Sequence, residues 1–164
     1  MAHFEEIERK FLVVGDSFKR LATHSETICQ GFLSTDPDRV VRIRVKGKSA
    51  YLTIKSRPKT NHFAHFEYEM PIPKADAEKL LLLCLPYPIE KERFYVPVEG
   101  QDLCFEVDVF HGRLEGLVVA EIELKDENQS FPHLDFLGEE VTGKPQYSNS
   151  QLSKIGNLEE LENQ

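Results

Sequence analysis

The feature that most constrains this chain is a period-two alternation of ionisable and apolar side chains in short segments. In one segment Arg42 and Arg44 alternate with Val41, Ile43 and Val45. Because successive side chains of a β-strand point to opposite faces, each such segment predicts a strand with one charged and one apolar face. The pattern predicts roughly eight strands, at about residues 3–13, 27–34, 39–47, 50–57, 64–72, 89–97, 103–111 and 117–125.

Helical spacing is confined to three stretches of the chain. The predicted helices are a short one from Asp16 through His24, one over Lys74–Leu85, and one that opens at Ser148 or Ser150 and runs towards Leu161. Many antiparallel strands with few helices predict a mainly β (α+β) fold, an eight-stranded antiparallel closed β-barrel with flanking helices. No linker or low-complexity run interrupts the sequence, so we expect a single domain over residues 1–164.

Composition and charge exclude several classes of function. A formal net charge of −8 does not suit a duplex-DNA binder, and we expect no nucleic-acid partner. The longest unbroken apolar run, residues 80–85, is far shorter than the ~20 residues of a membrane-spanning helix, so we expect no membrane partner. The N-terminus lacks the apolar region of a signal peptide, and the three cysteines form no C-x-x-C pair. We therefore expect reduced, buried thiols and a cytoplasmic location.

The charged faces of the predicted strands are segregated by sign. Basic residues occupy the third, fourth and sixth strands: Arg42, Arg44, Lys46, Lys55, Arg57, Lys91 and Arg93. Carboxylates occupy the seventh and the centre of the eighth: Glu106, Asp108, Glu121 and Glu123. An ordinary solvated face is the alternative, but such a face mixes small polar residues with charges of both signs because like neighbours repel. Segregation suits a polyanion against the basic strands and divalent cations against the acidic ones, and a barrel with these faces inward encloses a charged tunnel.

Two carboxylate pairs, Glu6 with Glu8 and Glu121 with Glu123, are candidate metal ligands. Two unrelated exposed pairs remain the alternative. Carboxylate oxygens without His or Cys suit a hard cation, Mg²⁺ or Mn²⁺, rather than zinc. Basic side chains opposite such a metal supply the charge stabilisation that phosphoryl transfer needs.

The ordered set of motifs resembles one known family. Glu6-Ile-Glu8-Arg-Lys10 resembles the ExExK signature that opens the CYTH family, also called the triphosphate tunnel metalloenzymes. The resemblance continues in order over nearly the whole chain, through Gln30-Gly-Phe-Leu33, Arg42-x-Arg44, Leu52-Thr-Ile-Lys55, Glu67-x-Glu69, Lys91-x-Arg93, Phe105-Glu-Val-Asp108, Glu121-Ile-Glu123, Gly138-Glu-Glu-Val-Thr and Tyr147-Ser-Asn149.

This resemblance implies a tunnel of eight antiparallel strands that binds a triphosphate-bearing substrate and Mg²⁺ or Mn²⁺. It implies that the metal ligands are Glu6, Glu8, Asp108, Glu121 and Glu123. The substrate-binding residues that it implies are Lys10, Arg42, Arg44, Lys55, Lys91 and Arg93, to which Arg57 on the face of Lys55 is added. Within this set Lys10, Arg44 and Lys91 are the candidate catalytic residues. Glu67 and Glu69 match a family position to which we assign no role.

The leading functional hypothesis is a metal-dependent hydrolase of inorganic triphosphate, with in-line attack of water on the terminal phosphorus. Three alternatives stay open: a class IV adenylate cyclase that converts ATP to cyclic AMP and pyrophosphate, a thiamine triphosphatase, and a non-enzymatic polyphosphate-binding module. The shortness of the chain favours hydrolysis over cyclisation, because nucleoside recognition needs an additional pocket. The apolar outer faces of the strands need cover from helices or from a partner subunit, which favours a homodimer.

Overall fold

The fold is a single antiparallel β-sheet with a few short helices packed against it. The computed structural model describes the backbone of residues 3–56 and 64–162 and the side chains of residues 7–56 and 66–162. The strands of the described part are β1 (His3–Val13), β2 (His24–Ser34), β3 (Val40–Lys46), β4 (Ser49–Ser56), β5 (Ala64–Pro71), β6 (Leu85–Pro97), β7 (Cys104–Phe110), β8 (Val118–Leu124) and β9 (Leu137–Glu140). The prediction of a mainly β, antiparallel fold is confirmed.

The edge strand β5 pairs with part of β1, the strand next to the opposite edge of the sheet. The strand order is β5-β4-β3-β2-β6-β7-β8-β1-β9, with an additional pairing between β1 and β5. His3–Ile7 of β1 pair with Ala64–Tyr68 of β5, whereas Ile7–Leu12 pair with β8. The expectation of a closed eight-stranded barrel is therefore corrected to a curled sheet of nine described strands with a partial seam. The unpredicted strand β9 has four residues, which is too short to display an alternation of its own.

The helices are shorter than the sequence predicted. They are α1 (Phe18–Leu21), α2 (Lys74–Leu81), α3 (Asn149–Leu152) and α4 (Leu158–Glu162), with 3-10 turns at Gly112–Leu114 and Pro145–Tyr147. Sheet pairing sets these limits, because β2 already pairs with β6 from His24 and β6 begins at Leu85. The predicted C-terminal helix is divided into α3 and α4, and Ser148 is its N-cap, accepting a hydrogen bond from the Gln151 amide. Within the described residues, no helix is long and apolar enough to cross a membrane.

Helices and loops cover the apolar outer faces of the sheet, as that pattern required. Phe11, Phe105 and Ile122 of β1, β7 and β8 pack with Phe18 of α1 and Phe136 of the segment before β9. A second cluster joins β6 and β7 to α3 and α4, and a third places α2 against β3 and β4. Full burial of one such side chain contributes about 1.5–3 kcal/mol to the free energy of unfolding. The charged faces that carry the predicted site residues are thereby turned to the inside of the curl.

All three cysteines, Cys29, Cys84 and Cys104, are free thiols, as predicted. The expectation that they are buried is met only in part, because each of them is half-buried. Partial burial nevertheless raises the pKa of each thiol above its ordinary value, so the neutral thiol is favoured at pH 7.

Candidate active site

A cavity of about 370 Å³ lies inside the curled sheet and collects most of the predicted site residues. The predicted residues that line it are Glu8, Lys10, Arg42, Arg44, Lys55, Glu67, Glu69, Lys91, Arg93, Glu121 and Glu123. Asp108 contacts two of these lining residues, Lys91 and Arg93. Arg57 lies outside the described residues, and so does the side chain of Glu6, although the Glu6 backbone pairs with His65 in the sheet.

The signs of charge are arranged in two sectors around this cavity. The adjacent strands β4, β3, β2 and β6 form the basic sector, in which β2 contributes the neutral Gln30. Strands β7, β8, β1 and β5 form the acidic sector, with Lys10 as its basic exception. The segregation seen along the sequence therefore becomes a segregation in space, and an elongated anion can lie along the basic sector while cations bind the acidic one.

Two cations of the basic sector, Lys91 and Arg93 on β6, are held by the buried carboxylate of Asp108 on β7. Lys91 Nζ lies 2.7 Å from Asp108 Oδ2, and Arg93 Nε donates to Asp108 Oδ1 at 2.8 Å. The side chains of Lys91 and Asp108 are only 1% and 2% exposed. Burial acts to raise the pKa of Asp108, but the charges of Arg93 and Lys91 outweigh it, so that pKa is lowered and the carboxylate is ionised. Burial lowers the pKa of Lys91 below its ordinary value in spite of Asp108.

Another cation of the basic sector, Arg44 on β3, has a neutral partner. Its Nε donates to Gln30 Oε1 at 2.8 Å, and no ion pair of Arg44 occurs among the side chains of residues 7–56 and 66–162. Burial, together with the positive charges of Arg42 and Arg93, lowers the pKa of Arg44 to about 9. A guanidinium in this position is stabilised when an anion enters the cavity.

The acidic residues of β5 are partners of the basic residues next to them. Glu69 Oε2 lies 3.6 Å from Arg42 Nη2 and accepts a hydrogen bond from Thr53 Oγ1 at 3.0 Å. Glu67 Oε2 lies 3.9 Å from Lys55 Nζ. The sequence assigned no role to Glu67 and Glu69. In the structure they are counter-charges to Lys55 and Arg42 at the border between the two sectors.

The candidate metal ligands Glu8, Glu121 and Glu123 lie on neighbouring strands. Glu8 of β1 and Glu123 of β8 are directly opposite in the strand register, and Glu121 is opposite Lys10. Lys10 Nζ lies 3.6 Å from Glu121 Oε1. Burial acts to raise the pKa of Glu121, but the charges of Lys10, Arg93 and Lys91 outweigh it and lower that pKa, so the carboxylate is ionised.

These carboxylates suit a hard cation by their chemistry, since all of their donor atoms are oxygens. Among the described side chains, however, no group of three or more acidic, His or Cys residues is arranged to hold a metal ion. Glu8, Glu121 and Glu123 therefore lie on the same side of the cavity and supply suitable oxygen donors, but they do not form a complete metal site. For Asp108, metal binding would require exchange of Lys91 and Arg93, which now donate to both of its oxygens.

Two polar residues of the site, Gln30 and Asn149, received no role from the sequence. Asn149 Oδ1 accepts hydrogen bonds from Lys91 Nζ at 2.8 Å and from Gln30 Nε2 at 2.6 Å. One signal for Gln30 was available, because it is a single amide between the apolar Ile28 and Phe32 on the same face of β2. For Asn149 the signal was its place in the Tyr147-Ser-Asn149 motif, but its contact with Gln30 depends on how the C-terminal segment returns to the sheet.

Comparison with known proteins identifies the family. The CYTH domain model matches residues 5–155. An inorganic triphosphatase of Acetivibrio thermocellus is 45% identical over 150 residues, which are 92% of this chain and 94% of the relative. An inorganic triphosphatase of Nitrosomonas europaea is 34% identical over 151 residues, which are 90% of this chain and 96% of the relative.

Solved structures agree with this assignment. A crystal structure of an inorganic triphosphatase superposes with a TM-score of 0.65 at 32% identity and covers 93% of this chain and 96% of its own. A Hippeastrum protein with a dominant triphosphatase activity has a TM-score of 0.57 at 19% identity, covering 74% of this chain and 80% of its own, and shares the fold alone. The family match over most of the sequence, together with these relatives, shows that the chain belongs to the CYTH domain family.

Proposed function

We propose that this protein is a divalent-metal-dependent hydrolase of inorganic triphosphate that works inside the charged cavity. The observation that carries the proposal is Arg44, a cavity-lining guanidinium whose partner is a neutral amide and whose neighbours include Arg42 and Arg93. A polyanion relieves this concentration of positive charge, and a chain of phosphates contacts several cations at once. The two relatives named as inorganic triphosphatases favour the same substrate.

In the proposed reaction, water attacks the terminal phosphorus in line with the bridging oxygen. The bond between that phosphorus and the bridging oxygen breaks, and phosphate and pyrophosphate leave. Arg42, Arg44, Lys91 and Arg93 stabilise charge on the phosphate oxygens from the basic sector, and Lys10 does so from within the acidic sector. Each charge-assisted hydrogen bond in such a site is worth about 1.5–3 kcal/mol.

The carboxylates Glu8, Glu121 and Glu123 are the proposed metal ligands, with Glu6 and Asp108 as further candidates. When bound, Mg²⁺ or Mn²⁺ polarises phosphate oxygens and lowers the pKa of a coordinated water. Glu123→Gln is expected to abolish turnover and to weaken Mn²⁺ binding measured by electron paramagnetic resonance. Glu127→Gln is the matched control, because Glu127 is an exposed carboxylate just after β8. Unchanged Mn²⁺ affinity in Glu123→Gln would remove that residue from the ligand set.

A substrate panel tests the proposal. The purified chain is incubated with Mg²⁺ or Mn²⁺ and with inorganic triphosphate, ATP or thiamine triphosphate, while phosphate, pyrophosphate and cyclic AMP are measured. We expect the highest kcat/KM for inorganic triphosphate and no cyclic AMP from ATP. Cyclic AMP with stoichiometric pyrophosphate would instead support the cyclase, and tight binding of triphosphate without turnover would support a binding module.

We also propose that residues 1–164 act as one domain, most of which the family match covers. The homodimer and the cytoplasmic location stay predictions. The exposed apolar side chains Leu82, Leu83, Leu85 and Tyr87 favour self-association. Sedimentation velocity of wild type and of Leu83→Ser tests it, since a monomer at all concentrations for both would contradict a homodimer.

A further inference from the structure

The side-chain amides of Gln30 and Asn149 form a continuous bridge between two cations of the cavity. Arg44 Nε donates to Gln30 Oε1 at 2.8 Å, Gln30 Nε2 donates to Asn149 Oδ1 at 2.6 Å, and Lys91 Nζ donates to the same Asn149 oxygen at 2.8 Å. Gln30 has no exposed surface. Because lysine and arginine are donors only, each must face an amide oxygen, and that requirement orients both amides.

We propose that Gln30 and Asn149 are positioning residues that hold Arg44 and Lys91 in place without neutralising Arg44. This inference rests on the proposed function and adds the source of substrate alignment to it. A carboxylate in place of Gln30 would offer Arg44 the same acceptor oxygen, but its charge would satisfy the guanidinium in the absence of substrate. A neutral amide fixes the direction of the guanidinium and leaves its charge for an anionic ligand.

Asn149 enters this bridge from outside the sheet. It is the first residue of α3, and the N-cap Ser148 precedes it. Arg113, which follows β7, donates to the carbonyl oxygens of Leu152 at 3.1 Å and of Ile155 at 2.7 Å. Arg113 thus holds the C-terminal segment against the sheet at residues that follow Asn149. The position of this segment affects the cations through the Asn149 side-chain oxygen.

A positioning role and a purely structural role predict different effects of substitution on the stability of the fold and on ligand binding. If the amides only stabilise the fold, a substitution that weakens ligand binding also weakens the fold. If they position cations and leave Arg44 without a direct carboxylate partner, a carboxylate at position 30 stabilises the protein without ligand while it weakens ligand binding. Gln30→Glu keeps the size of the side chain and the acceptor for Arg44 but loses the Nε2 donor to Asn149. The new charge pair with Arg44 must therefore outweigh this lost hydrogen bond, and a midpoint that does not fall separates the two cases.

The experiment compares full-length wild type with Gln30→Glu and Asn149→Asp. Gln101→Glu is the matched control, because Gln101 is exposed in the turn after β6. Thermal midpoints are measured without metal or phosphate, the Kd of inorganic triphosphate is measured by calorimetry in EDTA, and kcat and KM are measured with Mg²⁺. We expect unchanged or higher midpoints for both variants, with Kd and KM for triphosphate raised at least about tenfold and a smaller change in kcat.

Three results would overturn the inference. The first is a wild-type Kd in Gln30→Glu, the second is a lower midpoint with unchanged Kd, and the third is a Gln30→Glu protein that does not fold. For Asn149→Asp we expect the same combination, a thermal midpoint that is unchanged or higher together with weaker binding of triphosphate. If wild type neither binds nor hydrolyses triphosphate, the proposed function fails, while the comparison of midpoints still tests the amide bridge.

Discussion

Three cations of the cavity, Lys91, Arg93 and Arg44, differ in their partners. Lys91 and Arg93 of β6 share the buried carboxylate of Asp108, whereas Arg44 of β3 donates to the neutral Gln30. All three face the same cavity, but only Lys91 and Arg93 donate to a carboxylate among the described residues. Carboxylates also lie near the cavity cations Lys10, Arg42 and Lys55. The difference shows that one basic surface can contain two kinds of cation. Some are stabilised by a carboxylate of the fold, and another keeps its charge available for a ligand.

This division has an energetic reason. Two buried cations on one strand need a counter-charge in the folded chain, because an uncompensated buried charge costs several kcal/mol. If every cation of the cavity had such a partner, an incoming anion would have to compete with all of them. The fold stabilises the more buried pair with one carboxylate and leaves the half-buried Arg44 with an amide.

The largest effect is expected from removal of the charge shared by Lys91 and Arg93. Asp108→Asn leaves both of them without their buried anion, and we expect the free energy of unfolding to fall by about 3–5 kcal/mol. Urea denaturation at pH 7 measures this change. The matched control is Asp102→Asn, since Asp102 pairs with Lys125 at 3.6 Å on the surface, where its side chain is 97% exposed. A loss for Asp108→Asn that is no larger than for Asp102→Asn would contradict the first half of the comparison.

The pH dependence of stability also tests the contribution of the ionised Asp108 to the fold. The pKa values of Asp108 and Glu121 are lowered in the folded protein, so their contribution is present above the unfolded pKa of about 4 and is lost as the pH falls below it. We expect the urea midpoint of wild type to fall steeply from pH 5 to pH 3. Asp108→Asn should show a shallower fall, because one of the two carboxylates is absent. Equal slopes would show that Asp108 does not titrate with a lowered pKa.

A smaller effect is expected from Arg113, which supports the bridge from a distance. Its guanidinium donates to the carbonyl oxygens of Tyr87, Pro88, Leu152 and Ile155. Arg113→Ala should lower the free energy of unfolding by about 1–3 kcal/mol. It should also raise KM for triphosphate, because the segment that carries Asn149 loosens. Arg113→Lys should restore only part of the stability and only part of the wild-type KM, since lysine lacks the planar guanidinium group.

The exposed Arg20 of α1 provides the control for these variants. Arg20→Ala should change the free energy of unfolding by less than about 0.5 kcal/mol. If Arg113→Ala behaves like Arg20→Ala, the carbonyl contacts of Arg113 do not hold the C-terminal segment.

Much of the fold could be predicted from the sequence, because burial on one face imposes a period of two. The alternation around Arg42 and Arg44 predicted both the strand and the side on which its charges lie, and β3 has that arrangement. The strand β9 escaped prediction because four residues that contain Gly138 carry no period. The extent of the seam between β1 and β5 depends on sheet curvature, which no local pattern encodes.

The site was predictable in its residue types and less so in its pairings. The alternation placed Asp108 among the carboxylates, but it could not show that Asp108 lies against Arg93, because that contact depends on the register of β6 and β7. Gln30 and Asn149 are distant in sequence and meet only after α3 has packed against the sheet. Contacts between distant segments follow from the assembled topology, and a sequence pattern reports only what is near in the chain.

The most direct test of the account is kcat/KM for inorganic triphosphate in wild type, Arg44→Lys and Arg44→Ala, with circular dichroism to verify folding. Arg39→Ala is the control, since the Arg39 side chain is 72% exposed and pairs only with Asp36 among the described residues. We predict a loss of about ten- to a hundredfold for Arg44→Ala, corresponding to one charge-assisted hydrogen bond, with partial recovery in Arg44→Lys. Equal values for wild type, Arg44→Ala and Arg39→Ala would contradict the claim that Arg44 is the cation kept for the substrate.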